Sequence, residues 1–414
     1  MTNQIQWKPA EIIVHQEVRN DPATAYFLSQ CAGIPVTYVN SGKAKVVVQA
    51  SDILLTAPQG MLNKVLAGKS VVFITPAGQA VDNFLIPDNR LMCPHFKRLK
   101  LASNGCFYSC DWCYLKLTFR GQRPFISVRV QYDKIKDSLQ RTLAATQSPI
   151  FFNSGELADS LSMEHLTRAG QTFIPWFGQS RNGYLFMLTK SDNVDDILNL
   201  PHNGHTVIAW SMNNELVSQK FEIGAPPFDR RLEAAWKVQQ AGYPLRLRLD
   251  PIVPFEGWEK DYADTVQRIF QKVSPERITL GTLRFEEGFY KMGKKKEEEM
   301  DEGMENTIFT TGDDLPEMLG NMGPMFEPKI FETKKKPKIN KNGKPRKQRG
   351  KIGKYSFSEA DRVKIFDFVI KEIRKYSECP IALCKESAEV WNQLGLDLSK
   401  MRCVCQLDYV DMTI

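Results

Sequence analysis

The chain has 414 residues, 42% hydrophobic and 25% charged, enough for two or three domains or one large barrel with attachments; wholesale disorder and a coiled rod are excluded. No stretch reaches the roughly 18–20 uninterrupted apolar residues of a membrane helix, and the N-terminus has no signal-peptide pattern, so a cytoplasmic protein without a membrane partner is expected. The net charge of +7 is local: residues 333–354 hold eleven Lys or Arg and no acid, and without them the rest of the chain is about four charges negative.

In chain order, residues 1–95 read as a mixed α/β leader with apolar runs at Val46–Val48 and Val71–Ile74. From 96 to 285 the texture alternates. Short apolar runs at 149–153, 184–190, 206–211, 245–250 and 277–283 have strand character, and amphipathic stretches at 132–146, 228–240 and 262–273 have helical length. Such alternation with short connections predicts parallel βαβ units, six or so of them, in an α/β partial (β/α)6 barrel of TIM type. Its chemistry belongs at the C-terminal ends of the strands. Residues 286–354 read as a long charged insertion: an opposed block (KKKEEEMDEGMEN, 294–306), a Met- and Gly-rich stretch, then the basic tract. Residues 355–414 open with a helix over 359–376, whose Val363, Phe366, Val369 and Ile373 form a core face, and end in a small cysteine-bearing tail.

The nine cysteines argue for metal or redox chemistry, because most fall in two tight groups. Cys106, Cys110 and Cys113 stand in CFYSCDWCYLK. Three thiolates suit an iron–sulfur cube with one iron left open, whereas a structural zinc needs a fourth ligand, for which Cys93 or His95 would serve. Beyond the next predicted strand, Asn153-Ser154-Gly155-Glu156 offers a glycine for close backbone approach and a carboxylate for an amino group. In the tail, Cys379 and Cys384 precede Cys403 and Cys405. They would close around a second metal, remain plain thiols, or form a redox pair or alternative hydrogen donor.

The three-cysteine spacing before a barrel resembles the radical S-adenosylmethionine superfamily, and the likeness extends to the spore photoproduct lyase-like family over roughly residues 90–272. It is carried by CDWCYLK, DSLSMEHLT (159–167), LTKSDNVDDIL, HNG (202–204), WSMN (210–213), FEIGAPPFDRRLEAAWKVQQAGY (221–243) and DPIVPFEGW (250–258), in that order. The resemblance implies a [4Fe-4S] cluster on Cys106, Cys110 and Cys113, with S-adenosylmethionine contacted by Glu156, Asp159, Lys190, Ser211 and Asp250. By residue chemistry alone, the local alternatives are a helix cap for Asp159 and a strand-end turn residue for Ser211. The family's hydrogen relay falls on Trp112, Tyr114 and Glu156. There the chain departs from the repair enzymes, which place a cysteine at Glu156 and a tyrosine at Trp112. A carboxylate cannot return a hydrogen atom, so the residues favour hydrogen abstraction followed by rearrangement of a thymine-derived base in DNA, an isomerase of DNA hypermodification like that ascribed to some virus-encoded relatives.

The alternatives are lyase-type repair of a thymine dimer, a radical enzyme on RNA or a free nucleoside, and a nucleic-acid-binding iron–sulfur protein without catalysis. The implied partners are DNA, met by the basic tract and a flipped base, and an electron donor such as flavodoxin or ferredoxin. Tyr355 and Phe357 would stack on bases or serve as strand core.

Overall fold

The computed structural model describes residues 6–84, 91–92, 96–118, 123–286, 326–331, 352–400 and 403–407. Its centre is an eight-stranded sheet. Seven strands run parallel: Phe96–Leu99, Ile150–Asn153, Gly183–Thr189, Thr206–Met212, Leu245–Ile252, Ile278–Thr282 and Ile381–Leu383. Val81–Phe84 joins antiparallel at the Phe96–Leu99 edge. The two edge strands do not pair, so the sheet is an open partial barrel. All five predicted strand runs are present. The tail supplies a further parallel strand, Ile381–Leu383, which sequence patterning did not single out.

The helices pack by the periodicity that predicted them. Phe228–Gln240 buries Phe228, Leu232, Ala235 and Val238, and Trp258–Lys272 buries Trp258, Tyr262, Val266 and Ile269, both at spacings of three and four. Asn214 caps the helix Glu215–Phe221 through Val217 N–H, and Ser358 caps Glu359–Arg374 through Asp361 N–H. In the latter helix Phe366, Val369 and Ile373 are core, and Val363 packs at its margin. These faces and the sheet form one large apolar core that includes Phe357, which settles Phe357 as core.

The regions interlock more than the predicted boundary at 95/96 allows. A second, five-stranded sheet takes Glu11–His15, Val36–Val39 and Val71–Thr75 from the leader, and Ile126–Arg129 and Ala102–Ser103 from beyond it. The Val46–Val48 run lies in a helix, Ala44–Gln49, while Val71–Ile74 is strand. From the expected insertion, Phe326–Phe331 and Ile352–Phe357 pair antiparallel and the latter pairs with Arg284–Glu286. The charge block and the basic tract up to 351 lie outside the described residues, as do Cys93 and His95. Among the described residues no helix is long and apolar enough to cross a membrane.

Candidate active site

Each barrel strand from Ile150 onward delivers residues at its C-terminal end to one cavity of about 360 Å³. Ile150–Asn153 leads to Gly155 and Glu156, Gly183–Thr189 to Lys190, and Thr206–Met212 carries Ser211. Leu245–Ile252 presents Arg248 and Asp250, Ile278–Thr282 leads to Arg284, and Ile381–Leu383 leads to Lys385. Across from the strand ends, the loop carrying Cys106, Cys110, Cys113, Trp112 and Tyr114 closes the wall. Residues spread over about 280 positions of sequence therefore converge as the barrel rule requires.

The cysteine loop is pinned from below. Lys69 donates to the Cys106 carbonyl at 2.6 Å, Gly105 N–H to Leu157 O, Ser109 N–H to Ile223 O and Asp111 N–H to Phe221 O. Lys116 is buried beneath the loop, donating to Ser109 O at 3.0 Å and facing Asp111 at 3.6 Å. All three cysteines are free thiols. Burial pushes Cys106 up to about 11 and Cys110 to about 12, so each holds its proton until a cation replaces it. The three cysteines line one wall with open volume in front, the donor set of an iron–sulfur cube bound on three corners. Among the described residues, however, no three Cys, His, Asp or Glu side chains, these included, are grouped as they would be around a metal ion. The fourth ligands of a closed structural zinc, Cys93 or His95, lie outside the described residues.

The expected cofactor residues divide into two kinds. Lys190 and Ser211 present side chains to the cavity. Lys190 faces Glu222 at 3.7 Å; burial alone would lower its ammonium, but the Glu222 carboxylate turns the net shift upward. Glu222 is held in turn by the buried Arg231, which also donates to Ser211 O at 3.1 Å. Asp159 and Asp250 are already engaged. The Asp159 carboxylate accepts from Leu161 N–H, Ser162 N–H, Thr189 Oγ1 and Lys190 N–H at 2.6–3.0 Å, so it works as a cap that fixes the Lys190 backbone. Burial would raise the Asp250 carboxyl, but Arg248 and Arg284 hold it well below the usual carboxylate range.

The Tyr114 hydroxyl donates to Glu156 Oε1 at 3.1 Å and to its carbonyl at 2.6 Å. Trp112 packs against Phe221, ring centroids 5.6 Å apart, at the same wall. Gly155 is required for a different reason from the one expected. A Cβ there would lie 2.7 Å from Leu188 O and 2.9 Å from Leu188 N on the neighbouring strand, so the glycine permits strand packing.

The structure does not gather the four tail cysteines. Cys379 and Cys384 stand at opposite ends of Ile381–Leu383, and among the described residues no three His, Cys, Asp or Glu side chains converge as a closed metal site. Cys384 accepts from Arg248 Nη2 at 2.9 Å, behind the cavity wall. Cys403 faces Thr279 at 3.7 Å, with Val404 N–H on the Thr279 hydroxyl. Arg246 donates to Val404 O and Gln406 O, so this part of the tail docks against the barrel strands.

Arg248, Arg284 and Lys385 were not foreseen. The alternation LRLRLD (245–250) places Arg246, Arg248 and Asp250 on one strand face, which is the available signal for the first. Nothing local marks Lys385.

The family model for spore photoproduct lyase matches residues 98–300. The chain is 37% identical to the spore photoproduct lyase of Bacillus subtilis (strain 168) over 173 residues, 41% of this chain and 49% of that protein. It is 35% identical to that of Geobacillus sp. (strain Y412MC61) over 185 residues, 44% and 53% of the two chains. Over these residues the chain is similar to the spore photoproduct lyase family. The match spans about half the length of these relatives. A solved spore photoproduct lyase complexed with dinucleoside spore photoproduct superposes with a TM-score of 0.68 at 22% identity, covering 91% of this chain and 98% of that one. A variant with bound AdoMet and the same dinucleoside gives 0.66 at 23%. These likenesses establish the fold, a partial barrel.

Proposed function

We propose that the chain is a radical S-adenosylmethionine enzyme acting on a thymine-derived base in DNA, with a reaction of the spore photoproduct lyase type. The observation that carries this reading is the convergence of the three-cysteine loop with Glu156, Lys190 and Ser211 on one cavity, in a chain whose matched relatives bear that activity's name. Cys106, Cys110 and Cys113 would hold a [4Fe-4S] cluster, and Lys190 and Ser211 the carboxylate and polar groups of S-adenosylmethionine. When bound and reduced, the pair supplies one-electron cleavage of a sulfonium C–S bond and with it hydrogen abstraction.

The chain's own residues do the rest. Asp159 fixes the strand end beneath Lys190, and the Arg231–Glu222 pair fixes the Lys190 ammonium and the Ser211 carbonyl. Tyr114 offers an O–H at the cavity wall, and the Glu156 carboxylate, accepting that O–H at 3.1 Å, orients it. DNA would be met by the basic tract, and a flavodoxin or ferredoxin would deliver the electron.

Glu156 supports a second reading. Where the repair enzymes are expected to carry a cysteine, this chain has a carboxylate without a transferable hydrogen atom. Rearrangement that takes the abstracted hydrogen back from deoxyadenosine needs no such donor. Anaerobically reconstituted protein with reductant and S-adenosylmethionine, given DNA carrying either the spore photoproduct or aminoacyl-modified thymines, separates the two. Two thymidines from the first substrate establish the lyase; a mass-neutral change in the second, with little net cofactor use, establishes the isomerase. DNA binding without cofactor cleavage would refute both and leave a binding protein.

A further inference from the structure

The cations that line the cavity are matched by carboxylates, with one exception. Lys190 faces Glu222 at 3.7 Å, and Arg248 and Arg284 share Asp250 at 3.0 and 3.4 Å. Lys385 forms no ion pair among the described residues. Its ammonium lies instead against two aromatic faces, 5.8 Å from the Tyr114 ring centroid and 5.6 Å from that of Phe84. Neither ring is an acceptor matched to the three N–H donors of an ammonium.

The backbone holds this lysine in place. Lys385 has φ 51°, a left-handed conformation that side-chain-bearing residues rarely adopt and that gathers at functional sites. On one side, Ile381–Leu383 pairs with the barrel strand and Cys384 N–H donates to Leu280 O at 2.7 Å. On the other, Glu386–Ser387 pairs with Leu91–Met92, and the Glu386 carboxylate meets the buried Arg362 at 3.0 Å. The turn is clamped at both ends, and it directs an uncompensated cation beside Tyr114, whose hydroxyl holds Glu156.

We propose that Lys385 receives an internucleotide phosphate of the DNA substrate at the cavity mouth, and so sets how the base is presented to Tyr114 and Glu156. This rests on the DNA-thymine reading above. A compact ammonium suits a phosphate as a point charge, positioning the strand without reading its sequence. The cation on the cofactor's side is Lys190, which stands near Cys110.

The test compares two probes on the loaded enzyme: the spore photoproduct dinucleotide, which has a bridging phosphate, and the dinucleoside, which has none. Wild type should prefer the dinucleotide. Lys385→Ala should lose about tenfold in kcat/KM on it, chiefly through KM, bringing the ratio of the two substrates close to one, while Lys385→Arg keeps most of the preference. In equilibrium binding of single-stranded oligothymidylate to the same loaded protein, Lys385→Ala should flatten the slope of log K against log salt by about 0.7. An unchanged substrate ratio, an equal loss on both substrates, or weakened S-adenosylmethionine binding in Lys385→Ala would overturn the assignment. Wild-type turnover of neither probe would instead sink the lyase reading, and the salt slope on oligothymidylate would then decide the assignment.

Discussion

Replacing Arg231 with Met tests whether the cavity floor is held as described. Arg231 is fully buried and donates to Pro226 O at 2.6 Å, Ser211 O at 3.1 Å, Ser218 Oγ at 2.8 Å and the Glu222 carboxylate. Methionine fills much of the same volume but leaves Glu222 buried with only Lys190, at 3.7 Å, as a cation. Removing one partner of a buried pair costs about 3–5 kcal/mol, mostly from the charge left behind. At about 1 °C per kcal/mol for a chain of this size, the melting temperature should fall by about 3–6 °C. Thermal unfolding of the reduced protein by circular dichroism gives the number. Adding Glu222→Gln to the variant removes the stranded charge and should recover a substantial part of the loss. A loss under about 1 kcal/mol in Arg231→Met, or no recovery in the double variant, would refute the account of the floor.

Gly155→Ala should destabilise by about 1–3 kcal/mol and weaken S-adenosylmethionine binding, because the added methyl meets the Leu188 backbone; unfolding together with equilibrium dialysis reads both. Glu164 accepts from Gly170 N–H at 2.7 Å and Gln171 N–H at 3.0 Å, and burial pushes its carboxyl up to about 7 from the ordinary 4.5. Its folded value lies above its unfolded one, so its contribution is full below about 4.5 and is lost as the pH rises through about 7. Urea midpoints at pH 5 and pH 8 should therefore drop more for wild type than for Glu164→Gln, by up to about 3 kcal/mol; parallel drops would refute this. Tyr114→Phe keeps the ring but removes the O–H that bonds Glu156, so cofactor cleavage should continue while product falls at least about tenfold. Product at the wild-type rate would remove Tyr114 from the relay.

The parts legible in the sequence were those set by local pattern. The β-branched and aromatic runs at 150–153, 183–189 and 206–212 became strands because their residues fill a sheet buried on both faces. The cysteine loop was legible from spacing alone. What stayed hidden depends on contacts across the chain. Gly155 faces a neighbouring strand, which no single-strand reading reveals. Asp159 caps Leu161 and Ser162 locally but also binds Thr189 and Lys190 about 30 residues away, and Asp250 meets Arg284, 34 residues on, besides its neighbour Arg248. Ile126–Arg129 pairs with Val71–Thr75, so the boundary at 95/96 does not divide the sheets. The Cys379–Cys384 spacing looked like a ligand pair until the intervening residues proved to be a strand, which sends the two thiols to opposite ends.

The central claim is that a hydrogen atom leaves a thymine-derived base within this cavity. Its most direct test gives the anaerobically loaded protein spore photoproduct DNA perdeuterated at its thymines and measures the mass of the deoxyadenosine formed. Deuterium in that deoxyadenosine, lost in parallel when Cys106, Cys110 or Cys113 is replaced by Ala, is the predicted result. Deoxyadenosine formed at the full rate but free of deuterium, with that substrate and with similarly deuterated aminoacyl-thymine DNA, would contradict it.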